Sequence, residues 1–76
     1  MDAEQYLDQY GPHRAAEVAK KAGVSMAHFY AIANGRRRPS VDTAEKLVAA
    51  SGRELNFMAL IKSRAYERRR AQGAPA

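Results

Sequence analysis

A chain of 76 residues holds one domain with one hydrophobic core, and it has no cysteine for a disulfide framework or a thiolate metal site. The apolar run at residues 57–61 is far too short to span a bilayer, and the first residues lack the basic and apolar regions of a signal peptide. We therefore expect a soluble cytoplasmic protein without a membrane segment.

The formal net charge of +5 is unevenly distributed along the chain. Residues 1–11 carry three acidic side chains and no basic one, whereas residues 62–70 carry five basic side chains and one acid. Three consecutive arginines at residues 36–38 form a second basic cluster. This asymmetry favours an anionic partner, and nucleic acid is the commonest one inside cells, although a solvated basic surface is the alternative.

The apolar spacing predicts five helices and no strands. Asp2 is a suitable N-cap for a first helix at residues 3–9. Gly11 and Pro12 predict a break, because glycine suits the left-handed end of one helix and proline suits the first turn of the next. The second helix is expected at residues 13–22.

Residues 15–35 have the pattern of two short helices joined by a tight turn. Gly23 is expected to adopt a positive φ, Val24 to fill the turn, and Ser25 to cap a third helix at residues 26–33. The positions expected to face inward on the two helices are Ala15, Val18, Ala19, Ala22, Phe29 and Ile32. The ordered set predicts the unit that places a helix in the DNA major groove.

Asn34 and Gly35 end the third helix, and a basic loop at residues 36–39 follows. Ser40 is expected to cap a fourth helix at residues 41–50. The apolar residues at helical spacing on this fourth helix are Val41, Ala44, Leu47 and Val48.

The last helix is expected to begin near Asn56 and to continue as a basic C-terminal helix. Its inward stripe is predicted to be Phe57, Leu60, Ile61 and Ala65. Residues 1–70 would then form a single domain, and residues 71–76 a disordered tail.

Several of these residues resemble those of Cro/repressor-type helix-turn-helix domains, the XRE-like group that includes phage Cro-like and YdaS-like regulators. The matching positions are Ala19, Gly23, Val24, Phe29, Ile32, Asn34-Gly35 and Arg38-Pro39-Ser40. The resemblance covers roughly residues 3–52. It implies an all-α, five-helix lambda-repressor-like domain that binds double-stranded DNA and regulates transcription. The resemblance favours a repressor, either phage Cro-like or of the antitoxin type, in a bacterial cell or a phage-infected host.

In the family, the third helix reads bases. Because Phe29 and Ile32 belong to the core, the opposite face offers the base-facing candidates Ser25, Met26, Ala27, His28, Tyr30 and Ala31. The family usually has glutamine, arginine or asparagine at such positions, whereas this chain has Met26, Ala27 and Ala31. These three side chains cannot form bidentate hydrogen bonds to bases, but they could contact thymine methyl groups. The other three would supply polar contacts. Packing within the protein is an alternative for the methionine and the tyrosine.

The phosphate-binding candidates lie at both ends of the turn unit. Arg14 stands at the start of the second helix, where free backbone N–H groups favour an anion. Asn34, Arg36, Arg37 and Arg38 follow the recognition helix, and three adjacent arginines are costly to hold together unless an anion neutralises them.

One small domain on one half-site rarely supplies the affinity of a specific regulator, so a homodimer is predicted. Its interface is placed only loosely, at residues 53–66. The arginines at residues 68–70 could contact flanking phosphates or an acidic partner, such as the N-terminal segment of a neighbouring copy.

Two other functions fit the same pattern. The domain could bind a protein such as a toxin or RNA polymerase, or it could bind nucleic acid, including RNA, without sequence preference. An enzyme is not expected, since no phosphate-binding glycine loop is present. His13 and His28 lack an obvious third ligand, so neither a metal, a cofactor nor a small-molecule substrate is predicted.

Overall fold

The computed structural model describes residues 1–73 and contains five α-helices in this part of the chain. They are α1 (Ala3–Ala22), α2 (Met26–Ala33), α3 (Val41–Ala50), α4 (Phe57–Ile61) and α5 (Arg64–Gly73). No strand occurs within residues 1–73, and the predicted all-α fold class is confirmed. None of the helices in this range is long and apolar enough to cross a membrane.

The break predicted at the N-terminus is confirmed, because the span of α1 consists of two helical segments that meet at a kink. Gly11 has φ 85° and ψ 167°, a non-helical conformation that favours glycine, and Pro12 begins the following helical segment. The two segments follow each other at these residues without an intervening loop. Asp2 caps α1: its side chain accepts from the Gln5 N–H at 2.8 Å, and its own N–H donates to Gln5 Oε1 at 2.9 Å.

The C-terminal helix was expected to be continuous, and the structure divides it. Lys62 leaves the helical region with φ −120° and ψ 57°, which ends α4. The buried Ser63 then begins α5, because its Oγ accepts from the Tyr66 N–H at 3.1 Å. Helix α5 continues to Gly73, so residues 71–73 of the expected tail are helical, while residues 74–76 lie outside the described residues.

The core lies where α1 packs against α2 and α3. Its largest fully buried side chains are Tyr6, Phe29, Ile32, Leu47, Leu55 and Leu60. All six residues predicted to face inward across the turn unit are buried. Val41 is the exception on α3, since it stands at the first helical position and is 58% exposed.

Contacts distant in sequence close the fold around this core. The Asn56 N–H donates to the Met1 carbonyl at 2.9 Å, and the Tyr10 hydroxyl donates to Glu54 Oε2 at 3.0 Å. Arg68 forms an ion pair with Glu4 at 3.0 Å. The N-terminal part of α1 is therefore attached both to the segment before α4 and to α5.

Candidate nucleic-acid interface

The turn between α1 and α2 has a fixed geometry that sets the direction of α2. Gly23 adopts φ 73° and ψ 28°, in the left-handed region, and the Val24 N–H donates to the Ala19 carbonyl at 2.8 Å. Val24 packs against the core. Ser25 then caps α2, because its Oγ accepts from the His28 N–H at 3.1 Å. The predicted glycine, plug and cap all occur in the positions assigned to them.

Helix α2 divides into an inward and an outward face. Phe29, Ile32 and Ala33 are buried against the rest of the domain. Five of the six base-facing candidates lie fully or partly at the surface without belonging to the core: Ser25, Ala27 and Tyr30 are exposed, and His28 and Ala31 are partly exposed. A helix held along one side and open along the other can enter a groove.

Met26 and Tyr30 were the two candidates with an alternative role in packing. Met26 is partly buried and packs against the core, so only part of its side chain is available to a partner. Tyr30 is 42% exposed and stays on the outward face.

The arginine loop, defined as residues 34–38, is attached directly to α2. The Arg37 N–H donates to the Ala31 carbonyl at 3.1 Å, and Asn34 Oδ1 accepts from both the backbone N–H and Nε of Arg36, at 3.2 and 3.3 Å. The guanidinium carbon of Arg38 lies 5.7 Å from the ring centroid of Tyr66, at the distance of a cation–π contact. All three arginines are exposed, and none forms an ion pair within residues 1–73.

A family model with the description Helix-turn-helix, HTH_3, matches residues 13–57, which is more than half of the chain. This protein belongs to the helix-turn-helix family. The family consists of DNA-binding regulatory domains of the XRE type and is not an enzyme family, in agreement with the resemblance seen in the sequence. Neither a curated protein nor a solved structure matches the chain.

Membership makes this a DNA-binding regulator in general terms, and α2 is the helix that corresponds to the recognition helix of a helix-turn-helix protein. The outward face of α2 and the arginine loop are consecutive in the chain and joined by the hydrogen bond from Arg37 to Ala31. The base-facing candidates and the phosphate-binding candidates of the loop are thereby attached to each other.

Arg14, the remaining phosphate candidate, is exposed on the second half of α1. Its guanidinium carbon lies 5.4 Å from the ring centroid of Tyr10, which limits its rotation without neutralising its charge. The hydrogen bond to Glu54 raises the pKa of Tyr10 above its ordinary value of 10.0, with a smaller contribution from desolvation.

Helix α5 brings Arg69 next to the arginine loop, and Arg69 is one of the arginines at residues 68–70 that were expected to contact flanking phosphates or an acidic partner. Arg69 Nε donates to the Asn34 carbonyl at 2.7 Å, so both the backbone and the side chain of Asn34 interact with arginines. The neighbouring Arg68 pairs instead with Glu4 of the same chain, where the sequence had suggested phosphates or a neighbouring copy. These contacts depend on the position of α5, and no local sequence signal indicates them.

Proposed function

We propose that this protein is a sequence-specific transcriptional repressor that binds double-stranded DNA as a homodimer. In this proposal α2 lies in the major groove and the arginine loop binds the adjacent backbone. The observation that supports it most directly is the joint placement of an open helix face and three exposed arginines without acidic partners within residues 1–73. The size and the resemblance fit a phage Cro-like or an antitoxin-type repressor.

The proposed reading of bases relies on short side chains. Ala27 and Ala31 allow α2 to approach the floor of the groove closely, where methyl groups recognise thymine and exclude larger or polar base edges by shape. Ser25, His28 and Tyr30 supply the hydrogen bonds. Affinity would come mainly from the backbone contacts of Arg14, Asn34 and the three loop arginines, as is usual for protein–DNA complexes.

The homodimer is proposed to form through an open groove between α3 and the segment preceding α4. Val48, Leu55 and Phe57 line its apolar part, and Glu45 and Arg53 lie on the same surface with opposite charges. Around a two-fold axis, the glutamate of one copy can face the arginine of the other, which makes the surface self-complementary.

The dimer is tested by Glu45→Lys and sedimentation equilibrium without DNA. The substitution should shift the wild-type dimer to a monomer, because the lysine would face Arg53 of the other copy. Asp8→Lys is the matched control, since Asp8 is an exposed acid that does not line the groove. A monomeric wild type, or the same shift in both variants, contradicts this interface.

Sequence-specific binding is tested by fluorescence anisotropy with the DNA upstream of the gene. A duplex carrying an inverted repeat, with half-sites one or more helical turns apart, should bind at least about 1000-fold more tightly than a shuffled duplex at physiological salt. Equal affinities for the two duplexes would overturn sequence specificity. Repression is checked separately, as a fall in reporter transcription from that upstream promoter when the protein is supplied.

The arginine loop is tested by replacing Arg36, Arg37 and Arg38 together with alanine. The slope of log K against log salt should fall by about 2.7 per protomer if each arginine neutralises one phosphate. A control with alanine at Lys21, Lys62 and Arg64 removes the same charge from exposed positions outside the loop. Equal slopes for the two variants would contradict a phosphate-binding role of the loop, and regulation that survives loss of the arginines would favour a protein-binding module.

Binding without sequence preference is a second candidate, and the alanines on the outward face of α2 favour it. Such a protein would lose affinity with salt in the same way but would not distinguish the two duplexes.

A further inference from the structure

Helix α5 is attached to the arginine loop through its backbone. Gly35, with φ 83°, is buried against the first turn of α5, and a Cβ at this position would overlap the Ala65 carbonyl and lie 2.6 Å from the Tyr66 nitrogen. The absence of a side chain at Gly35 therefore allows the backbone of the loop to lie directly against the backbone of α5.

This attachment gathers guanidinium groups around Asn34. The side-chain oxygen of Asn34 accepts from Arg36, and its carbonyl accepts from Arg69 at 2.7 Å. Glu4 is the acidic side chain that lines the same surface depression, and it is paired with Arg68 at 3.0 Å. Two arginines therefore bind the same neutral residue, and neither forms an ion pair among residues 1–73, so both remain available to an anion.

Two more arginines lie on this surface, Arg38 from the arginine loop and Arg70 from α5. Tyr66 and Arg70 are four residues apart and share one face of the helix. Arg38 lies over the ring of Tyr66, so this face continues the arginine loop toward the C-terminal end of α5. Arg70 is exposed and forms no ion pair within the described residues.

We propose that the α5 junction, defined as Arg36, Arg38, Arg69 and Arg70, continues the phosphate contacts of the arginine loop along the duplex, with Arg69 and Arg70 binding backbone phosphates that flank the half-site read by α2. The inference rests on the proposed function and extends it, since α5 lengthens the DNA footprint beyond the helix-turn-helix unit. Guanidinium groups bind phosphate oxygens in pairs of hydrogen bonds, and Asn34 and Tyr66 already orient Arg36, Arg69 and Arg38. Part of the entropy of ordering the side chains is therefore lost before DNA binds.

The test combines the double variant Arg69→Ala/Arg70→Ala with two duplexes. The short duplex ends at the outer edges of the half-sites, and the long one has six further base pairs on each side. Wild type should bind the long duplex more tightly, with a salt slope larger by about 1.8 per protomer, which corresponds to about two phosphates. Between 50 and 200 mM salt that slope amounts to about a tenfold change in affinity per protomer. The variant should bind both duplexes alike.

The control is Lys62→Ala/Arg64→Ala, which removes the same charge from the C-cap of α4 and from the first residue of α5. It should keep the preference for the long duplex. Since Arg69 also contacts Asn34, the single variant Arg70→Ala separates loss of a phosphate contact from loosening of α5, and it should lose about half of the difference in slope. Equal losses in the variant and the control, or no preference of wild type for the long duplex, would overturn the proposal.

The outcomes separate this inference from the proposed function. If the inverted repeat and a shuffled sequence bind equally, sequence-specific regulation fails, yet a flank-dependent slope on either duplex still supports the α5 junction. If wild type binds the inverted repeat more tightly than the shuffled sequence but binds the short and long duplexes equally, the proposed regulatory function stands and the role of the α5 junction is contradicted. A long RNA duplex that binds as tightly as the DNA would overturn the assignment to DNA.

Discussion

The turn between α1 and α2 and the contact between α5 and the arginine loop are both built on a glycine with positive φ, but they depend on different parts of the chain. At the turn, Gly23 has no atom within 4 Å of the position of a Cβ, and its neighbours in sequence supply the hydrogen bonds. At the loop, Gly35 is pressed against the backbone of residues 65 and 66. The first glycine is required by local conformation, and the second also by a helix 30 residues further along the chain. Substitutions at matched positions distinguish the contribution of local conformation from that of long-range contacts.

The largest effect is expected for Gly35→Ala. The positive φ costs about 1–2 kcal/mol for alanine, and relief of the backbone overlap adds about as much again, so the free energy of unfolding should fall by about 3 kcal/mol. Urea unfolding measures the loss, and hydrogen exchange at the Tyr66 and Glu67 amides should rise because α5 must move.

Gly23→Ala is the matched control for this variant. Its positive φ costs the same, but open space surrounds the added methyl group, so a loss of only about 1 kcal/mol is expected, with exchange in α5 unchanged. Equal losses in the free energy of unfolding for the two variants would show that the contact of Gly35 with α5 does not contribute to stability.

The two serine caps give the next largest effect. Ser25 caps α2 and Ser63 caps α5 through equal distances of 3.1 Å, so replacing either with alanine should cost about 1 kcal/mol. Hydrogen exchange distinguishes the two: Ser25→Ala should loosen α2 and the turn, whereas Ser63→Ala should loosen α5 and the arginine loop. A Ser63 variant that leaves the loop amides unchanged would contradict the attachment of the loop to α5.

A smaller effect is expected from the ion pair between Glu4 and Arg68. Both side chains are partly exposed, so Glu4→Gln should lower the free energy of unfolding by no more than about 1 kcal/mol at low salt and by less at 1 M salt. Asp42→Asn is the local comparison, because its pair with Lys46 lies within one turn of α3. Only the Glu4 variant should increase exchange in α5. Identical exchange patterns in the Glu4 and Asp42 variants would mean that the ion pair between Glu4 and Arg68 does not stabilise the position of α5.

The smallest effect is a dependence on alkaline pH that comes from Tyr10. Its hydrogen bond to Glu54 raises the pKa of the folded protein above the ordinary value of 10.0. The protonated form is favoured by folding, so this contribution to stability is present below pH 10.0 and is lost as the pH rises through the raised pKa.

Urea unfolding between pH 8 and pH 11 checks this prediction. The difference in stability between wild type and Tyr10→Phe should be constant at the lower pH values and should shrink at the higher ones. Tyr30→Phe serves as the control, since the Tyr30 hydroxyl makes no hydrogen bond within residues 1–73. A constant difference across the range would contradict the effect of Glu54.

Local signals explain which parts of the fold could be predicted from the sequence. Gly23, Ser25, Ser40 and Asn56 act where they were expected, because a cap or a left-handed turn is decided by a few adjacent residues. The break at Gly11 was also located correctly, because glycine favours the end of one helical segment and Pro12 the start of the next.

The errors occur where distant contacts compete with local preference. The apolar spacing of residues 57–65 suits one helix, yet the chain breaks at Lys62 and Ser63. That break allows Leu60 and Ala65 to be buried in two separate helices. For the interface, the outward face of α2 followed from the helical period, whereas the contact of Arg69 with Asn34 required the position of α5. The partial burial of Met26 likewise depends on neighbours that its own helix does not contain.

The short side chains on the outer face of α2 have a practical consequence. Ala27 is exposed and lies outside the hydrophobic core, so longer polar residues can be introduced there without repacking the protein. Variants with asparagine, glutamine or arginine at this position, and at the partly exposed Ala31, would form a compact library for selecting new DNA targets on an unchanged scaffold.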